Sequence, residues 1–500
     1  MRGQKFSALG ITFALLQTSC AVGPDFRKPE LPPSTGYLPG KLEAHDQAQE
    51  FVQEMDIPGQ WWTLFGSKNL NALIEKSLAA NPNLEAAQAS LRQAREAVYA
   101  QEGSYLPNVS ASFQPSRTKT ATRSVSIASA NGSPYYSLYT AQLAVSYSPD
   151  ILGANRREVE SLVATAQQLR FQLEATYLTL TSNLVTAAIN EASLRDQLAA
   201  THEIIKIETD LLTILQRQYD LGQVSKVDVL AQQAALAQAK ATLPPLQKQL
   251  DQQRDALAAL VGVPPNQPVP QNLTLSEIAL PKQVPVSVPA KLVDQRPDVR
   301  QAEEVLHAAT AEIGVAVANR LPVLNLTAGG GSQANFFKDL FASGNGFWAI
   351  AATVSQPVFD GGTLLHKERG AHAAAEQAAA QYRATTLAAF QNVADSLAAL
   401  QTDADALEAS ASADQAASDS LHLISLQTEL GQTAYLGVLN AQQTALQAKL
   451  NLIQAKANRL SDTAALFQAL GGGWWHRDDV KVKDINGNDP LALIGIRPTK

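Results

Sequence analysis

Between Pro82 and Pro107 the apolar positions Leu84, Ala87, Leu91, Ala94 and Val98 recur at 3-4-3-4 spacing. That is the period of a helix burying one stripe of its surface. The same steps return between Pro297 and Pro322, at Val299, Ala302, Leu306, Ala309 and Ile313, 215 residues later (84 to 299). Each proline pair is 25 residues apart. The sequence therefore predicts one helix in each of two copies, and an internal repeat governs the whole fold.

After each second proline the period changes from helical to two. Val109, Ala111 and Phe113 alternate with Asn108, Ser110, Ser112 and Gln114, and Leu324, Leu326 and Ala328 alternate with Asn325, Thr327 and Gly329. A turn cluster follows, Asn131–Pro134 in one copy and Gly344–Gly346 in the other. Then Tyr139, Ala141, Leu143, Val145 and Tyr147 oppose Thr140, Gln142 and Ser146, while Trp348, Ile350, Ala352 and Val354 oppose Ala349, Thr353 and Ser355. Each copy thus predicts a β-hairpin with one apolar and one polar face.

Long helical stretches begin after SPDILG and QPVFDGG, and each is interrupted once, by YDLGQVSKVDVLAQQ from Tyr219 and TELGQTAYLGVLNAQQ from Thr428. Glycine suits the left-handed position that ends a helix, and Ser225 with Asp228 predicts a capping box for the next one. The return stretch of the second copy keeps a seam of Leu446, Leu450, Ile453, Ala457, Leu460, Ala464 and Phe467. In the first copy the seam is Ala239, Leu243, Leu246, Leu250, Leu257 and Leu260, and Pro244 and Pro245 predict a kink in it. About 100 residues per half lie in these helical hairpins, and at about 1.5 Å per residue they predict an elongated rod.

The expected organisation is a signal segment at 1–19 and an N-terminal extended segment at 20–65. The first repeat (helix, β-hairpin, long helical hairpin) covers 66–263, a proline-rich connector 264–290, the second repeat 291–473, and a tail 474–500. The expected class is mainly α with membrane β.

Composition narrows the function. Net charge is −7, so no basic footprint points to nucleic acid. Charged residues make up only 17% and apolar residues 45%, a mix that suits long helices packed through small side chains. The single cysteine, Cys20, excludes an internal disulfide framework and a multi-cysteine zinc site. Arg2 and Lys5 precede the apolar run Phe6–Leu16, which is too short to span a bilayer and reads as a secretory signal ending at Cys20.

A secreted chain without a spanning helix crosses a membrane only through a closed barrel. Four strands cannot close a conducting barrel, since about eight is the minimum; three chains supply about twelve. Two small hairpins on a soluble helical body are the other reading of the same alternation.

Enzyme chemistry has no foothold in the sequence. His366 and His372 stand six apart, on different helix faces, and no HExxH occurs. Gly329–Gly331 lie in a predicted strand without a following helix, unlike a phosphate loop. No catalytic residue, metal site or cofactor is expected.

The motifs CAVGPDFRKP from Cys20, WWTLFGSKNLNALIEKSLAANPNL from Trp61, YDLGQVSKVDVLAQ from Tyr219 and RPDVRQAEEVLHAATAEIGVAVANRLP from Arg296 carry a resemblance. The chain resembles the outer membrane efflux proteins of the TolC superfamily, in the lipoprotein branch that serves resistance-nodulation-division (RND) pumps. The resemblance covers Cys20 to about Trp474. It implies a homotrimer with one shared outer-membrane β-barrel, continued by an α-helical barrel across the periplasm. It also implies passive export of drugs or other small molecules received from an inner-membrane RND transporter and a periplasmic adaptor.

By the same resemblance Cys20 is lipidated. Gln17 stands where that signal usually has leucine. The adaptor is met by tip loops at Tyr219, Leu221, Gly222 and Asp228, and at Leu430, Gly431 and Gln432. The periplasmic constriction falls at Gly437 and Asn440, where many members carry aspartates. Two other uses of the pattern stand beside this one: the outer-membrane duct of a type I protein secretion system, and a periplasmic coiled-coil tether without a pore.

Overall fold

The structure, a computed structural model, describes residues 21–30, 36–37, 49–119, 135–267, 273–286, 289–430, 432–433 and 435–477. The signal segment, Cys20, the Asn131–Pro134 cluster, Gly431 and the chain after Arg477 lie outside the described residues. Two compact units form. One comprises Met1–Pro29, Leu91–Gln168 and Ala302–Tyr382, and the other Glu30–Ser90, Leu169–Gln301 and Arg383–Lys500.

The elements appear in duplicate. Strand β1 (Glu50–Gln53) comes first, followed by helices α1 (Lys68–Ala80) and α2 (Pro82–Glu102). Strands β2 (Asn108–Lys119) and β3 (Tyr135–Tyr147) lead to the long helix α3 (Ala154–Asp220) and its return helix α4 (Lys226–Val261). The connector holds β4 (Gln283–Val286) and α5 (Pro289–Gln295). The second copy is α6 (Pro297–Ala318), β5 (Val323–Ala334), β6 (Gly346–Ser355), α7 (Thr363–Glu429) and α8 (Tyr435–Ala469). Helices α3 and α7 are each 67 residues long, about 100 Å at 1.5 Å per residue.

The repeated seam has a physical meaning. Its large members Leu84, Leu91 and Val98 in α2, and Val299, Leu306 and Ile313 in α6, are all buried. The alanines between them, Ala87 and Ala94 in one copy and Ala302 and Ala309 in the other, are half-buried. Both helices begin at proline, whose missing N–H falls where a helix has no partner for it.

Pro244 and Pro245, where the sequence predicts a kink, fall within α4. Both prolines lie inside one continuous helix, and the Thr242 hydroxyl donates to the Ala239 carbonyl at 2.7 Å just before them. Gly262, left-handed, terminates that helix.

In the first unit, β2, β3, β5 and β6 form one antiparallel sheet in that order. The central pairing, β3 with β5, joins the two copies. At its middle Gly331 faces Gln142, and a Cβ on Gly331 would lie 2.2 Å from the Ala141 carbonyl oxygen. Only glycine permits that approach of the two strands.

The core of the second unit is aromatic at one place. Trp61 stacks on Phe467 with ring centroids 5.4 Å apart, and Phe65 meets both rings edge-on. Trp61 and Trp62 come from a short 3-10 turn, Trp61–Phe65, and are fully buried with Leu70 and Ile74 of α1. After α8 the chain turns through Gly471–Gly473. The indole of Trp474 then donates to the Gln295 carbonyl at 2.6 Å, and Arg477 pairs with Glu174 at 3.0 Å. The second unit also holds a parallel pair, β1 with β4, whose four residues each are too few to show a period in the sequence.

Candidate functional site: an apolar sheet face and two hairpin tips

Register converts sequence alternation into two chemically different sheet faces. Cross-strand rows run Val109–Val145–Ala328–Ile350 and Ala111–Leu143–Gly330–Trp348. The next is Phe113–Ala141–Ser332–Gly346. The intervening rows carry Ser112–Gln142–Gly331 and Ser110–Ala144–Gly329. One face is therefore apolar almost throughout and the other polar. The apolar face is open: Val109, Phe113, Leu143, Trp348, Ile350 and Val354 are all exposed, Trp348 at 78%.

Such a surface is unfavourable in water, where isolated chains rarely expose so large an apolar patch. It is the surface that hydrocarbon requires. Among the described residues no strand pairs with the outer edges of β2 and β6. Edges of 12 and 10 residues present backbone groups that must be paired inside a bilayer.

The first hairpin tip joins α3 to α4. Gly222 is left-handed at φ 74°. Its N–H donates to the Tyr219 carbonyl, and the Gln223 N–H to the Gln218 carbonyl, both at 2.8 Å. This pair of bonds closes the end of α3 as a Schellman motif. Ser225 and Asp228 form the predicted capping box: Asp228 N–H donates to the Ser225 hydroxyl, and Ser225 N–H donates to the Asp228 carboxylate at 3.1 Å. Asp228 is thus engaged in closing the tip, while Leu221 projects at 73% exposure and Tyr219 is exposed beside it.

The second tip lies between α7 and α8. Gln432 N–H donates to the Gln427 carbonyl at 2.8 Å, and Leu430 is 72% exposed. Gly437 is half-buried and Asn440 exposed on the first turns of α8, three positions apart on one helical face.

Sequence reasoning missed what links the tips. The Tyr435 hydroxyl donates to the side-chain oxygen of Gln232 at 2.7 Å, and the Gln232 amide donates to the Glu208 carbonyl at 2.9 Å. Gln232 is completely buried. Burial pushes the Tyr435 phenol up to about 12, with the nearby Glu208 carboxylate adding to the effect. Burial also raises the Glu208 carboxyl. The only signal available was a glutamine inside an otherwise apolar helical stripe.

Within the second helical hairpin, Asp403 of α7 and Asp462 of α8 lie within hydrogen-bonding reach. Burial and the Asp462 carboxyl raise Asp403 to about 6, against the pull of Arg459. Arg459 is itself buried and bonded to the Leu400 carbonyl.

The segment following Cys20 is fastened to the first unit. Val22 N–H donates to the Leu152 carbonyl at 3.1 Å. Arg157 donates to the Val22 carbonyl at 3.1 Å and to Asp25 at 2.7 Å. Phe26 stacks on His307 with centroids 4.4 Å apart, and Lys28 pairs with Glu303 at 3.3 Å. These contacts hold the start of the described chain beside the end of β3 that leads into α3.

A sheet with a hydrocarbon-compatible face and, among the described residues, two unpaired edges, followed along the chain by long helical hairpins, defines a subunit of an outer-membrane channel. The chain belongs to the outer membrane efflux protein family, which its residues 73–263 and 288–472 match. It is 28% identical over 473 residues to the toluene efflux pump outer membrane protein TtgC of Pseudomonas putida, spanning 94% of this chain and 96% of that one. It is 26% identical over 417 residues to the pyoverdine export outer membrane protein OpmQ of Pseudomonas aeruginosa, spanning 83% and 87%.

Among solved structures, the outer-membrane channel OprN superposes with a TM-score of 0.83 at 26% identity, covering 91% of this chain and all of that one. The CmeC outer membrane channel of Campylobacter jejuni has the same fold, with a TM-score of 0.83 at 23% identity over 92% and 96%. This chain is accordingly an outer-membrane efflux channel protein. Channels of this group are trimers that act with other pump parts.

Proposed function

We propose that the protein is the outer-membrane exit duct of a tripartite RND-type efflux system. Three copies pair β6 of one chain with β2 of the next and close a twelve-stranded barrel. Small molecules handed over by an inner-membrane RND transporter and a periplasmic adaptor pass through it without a chemical step. No catalytic group or cofactor enters this reading. The adaptor engages the tip residues Tyr219, Leu221, Gly222 and Asp228, and Leu430, Gly431 and Gln432. The constriction is formed at Gly437 and Asn440. Cys20 carries lipid that places the chain in the outer membrane.

The observation that carries the proposal is the sheet with one apolar face and two unpaired edges. Among the described residues no helix is long and apolar enough to cross a membrane; the exposed apolar face of the sheet is what supports its contact with the bilayer. A tether without a pore has no use for such a sheet. The type I secretion duct shares the architecture, and the relatives named as efflux and export proteins favour the pump reading over it.

Purification from membranes tests the proposal. Heat-modifiable trimers that conduct ions in planar bilayers, and that bring down an RND transporter and its adaptor after mild cross-linking, are the expected result. An ABC exporter in the same pull-down would assign the duct to type I secretion. Trimers without conductance would leave only the tether.

A further inference from the structure

We propose that the apolar face of the sheet carries a built site for a phosphorylated, acylated lipid of the outer leaflet. Three features converge on it, all in the first unit.

The first is a groove of about 630 Å³ across β2, β3 and β5, a volume typical of small-molecule sites. On the apolar face its lining is Ala111, Ala141 and Gly330, which have little or no side chain, with Phe113, Leu143, Ser332 and Phe341 beside them; Ser112, Gln142 and Gly331 of the intervening rows complete it. Small residues flanked by large ones make a channel for a narrow apolar chain.

The second is the loop between β5 and β6. It is shaped by its own hydrogen bonds: the Ser332 hydroxyl reaches the carbonyls of Leu340 and Asn345, and the Asn345 amide donates to the Asp339 carbonyl at 2.7 Å. Leu340 is buried beneath it. Phe337 of this loop lies edge-on to Phe113 and Tyr139, at 6.1 and 5.8 Å between centroids. Both partners belong to the apolar face, so the loop folds over the lipid-facing side. Phe336 and Phe341 remain exposed at 65% and 82%.

The third is charge. Along β2 the same face reads Val109, Ala111, Phe113, Pro115, Arg117, Lys119. It passes from apolar to cationic at the hairpin end, roughly 14 Å beyond Phe113 at 3.4 Å per residue. Arg117 and Lys119 are exposed there, and Lys338 is exposed in the β5–β6 loop, between Phe337 and Asp339.

The hairpin ends lie opposite the strand ends that join the helices; on the proposed function, in which the helices extend into the periplasm, they face the outer leaflet. Continuity with the hydrocarbon-facing surface fixes the occupant as lipid, and the cationic rim selects an anionic headgroup. Acyl chain in the groove and phosphate at Arg117, Lys119 and Lys338 is the arrangement that satisfies both.

The test equilibrates purified trimer with hexa-acylated, bis-phosphorylated lipid A, or with phosphatidylethanolamine of matched chain length. Lipids kept after dilution are counted by native mass spectrometry. The expected result is up to one lipid A per chain, retained at least tenfold better than phosphatidylethanolamine. Ala141→Phe, which fills the groove, lowers lipid A retention at least tenfold. The triple variant Arg117→Ser, Lys119→Ser, Lys338→Ser brings it down to the phosphatidylethanolamine level. Heat-modifiable trimers and unchanged conductance certify the fold, and Ala141→Leu replaces the larger change if that fails. Equal retention of the two lipids by the unaltered protein overturns the proposal, as does undiminished lipid A retention in either variant.

Discussion

Tyr435 opens α8 and reaches back to α4, where its hydroxyl meets the buried side-chain oxygen of Gln232 at 2.7 Å. One bond thus ties the second helical hairpin to the first within a single chain, close to the tips where the duct is proposed to close. Removing the donor leaves a buried acceptor unsatisfied, a cost of about 1–3 kcal/mol. Tyr435→Phe is therefore expected to assemble normally and to raise open-state conductance. Single-channel recording checks this, and traces indistinguishable from the parent protein would remove Tyr435 from the closure.

Gly222 has open space around its would-be Cβ, so only its left-handed φ of 74° restricts it. A β-branched residue there is strained by roughly 1–2 kcal/mol and reshapes the loop. Gly222→Val is expected to abolish export while heat-modifiable trimers persist, because the altered surface is the proposed adaptor contact. Drug susceptibility in a strain lacking its own channel reads the first, and gel mobility the second. Unimpaired resistance would separate the tip from docking.

The carboxyl of Asp403 is raised from 3.8 to about 6 by burial and by Asp462. The folded state binds this proton more tightly than the unfolded chain. Its stabilising contribution is complete below pH 3.8 and is lost as pH rises through about 6. Asp403→Asn should flatten that part of the profile: the fall in melting temperature between about pH 4 and 6.5 becomes smaller than in the parent. An unchanged fall would show that other groups govern it.

Asn440 is exposed and uncharged, whereas a ring of carboxylates at a constriction attracts cations. Conductance of the parent trimer is expected to be insensitive to millimolar magnesium. Asn440→Asp should introduce block. Strong magnesium block of the parent would place the constriction elsewhere.

Cys20 immediately precedes the strap from Val22 to Lys28 that Arg157, His307 and Glu303 hold in place. If barrel and strap position the chain without lipid, Cys20→Ser behind an ordinary cleavable signal retains part of the export activity. Complete loss of export, with stable protein present, would make the lipid indispensable.

Both repeats, their helix–hairpin–helix order and the faces of the strands were legible in the sequence, because each is encoded by a local period. Leu84, Leu91 and Val98 mark the buried stripe before any contact is known, and Ser225 with Asp228 writes its own cap. The unpaired face was legible too, since alternation at Val109 to Phe113 and at Trp348 to Val354 needs only the pleat. The four-residue strands β1 and β4 were not, being too short to show a period.

What the chain alone determined is therefore local: where helices start, which side of each strand is apolar, and where the tips turn. The tertiary structure decided the pairings between distant segments. It set β3 beside β5 through the side-chain-free Gly331, stacked Trp61 on Phe467, and brought Tyr435 to Gln232 and Asp403 to Asp462. No period records such meetings. They depend on which long-range packing buries the most apolar surface while leaving each enclosed polar group a partner, and that balance is struck only when the whole chain is folded.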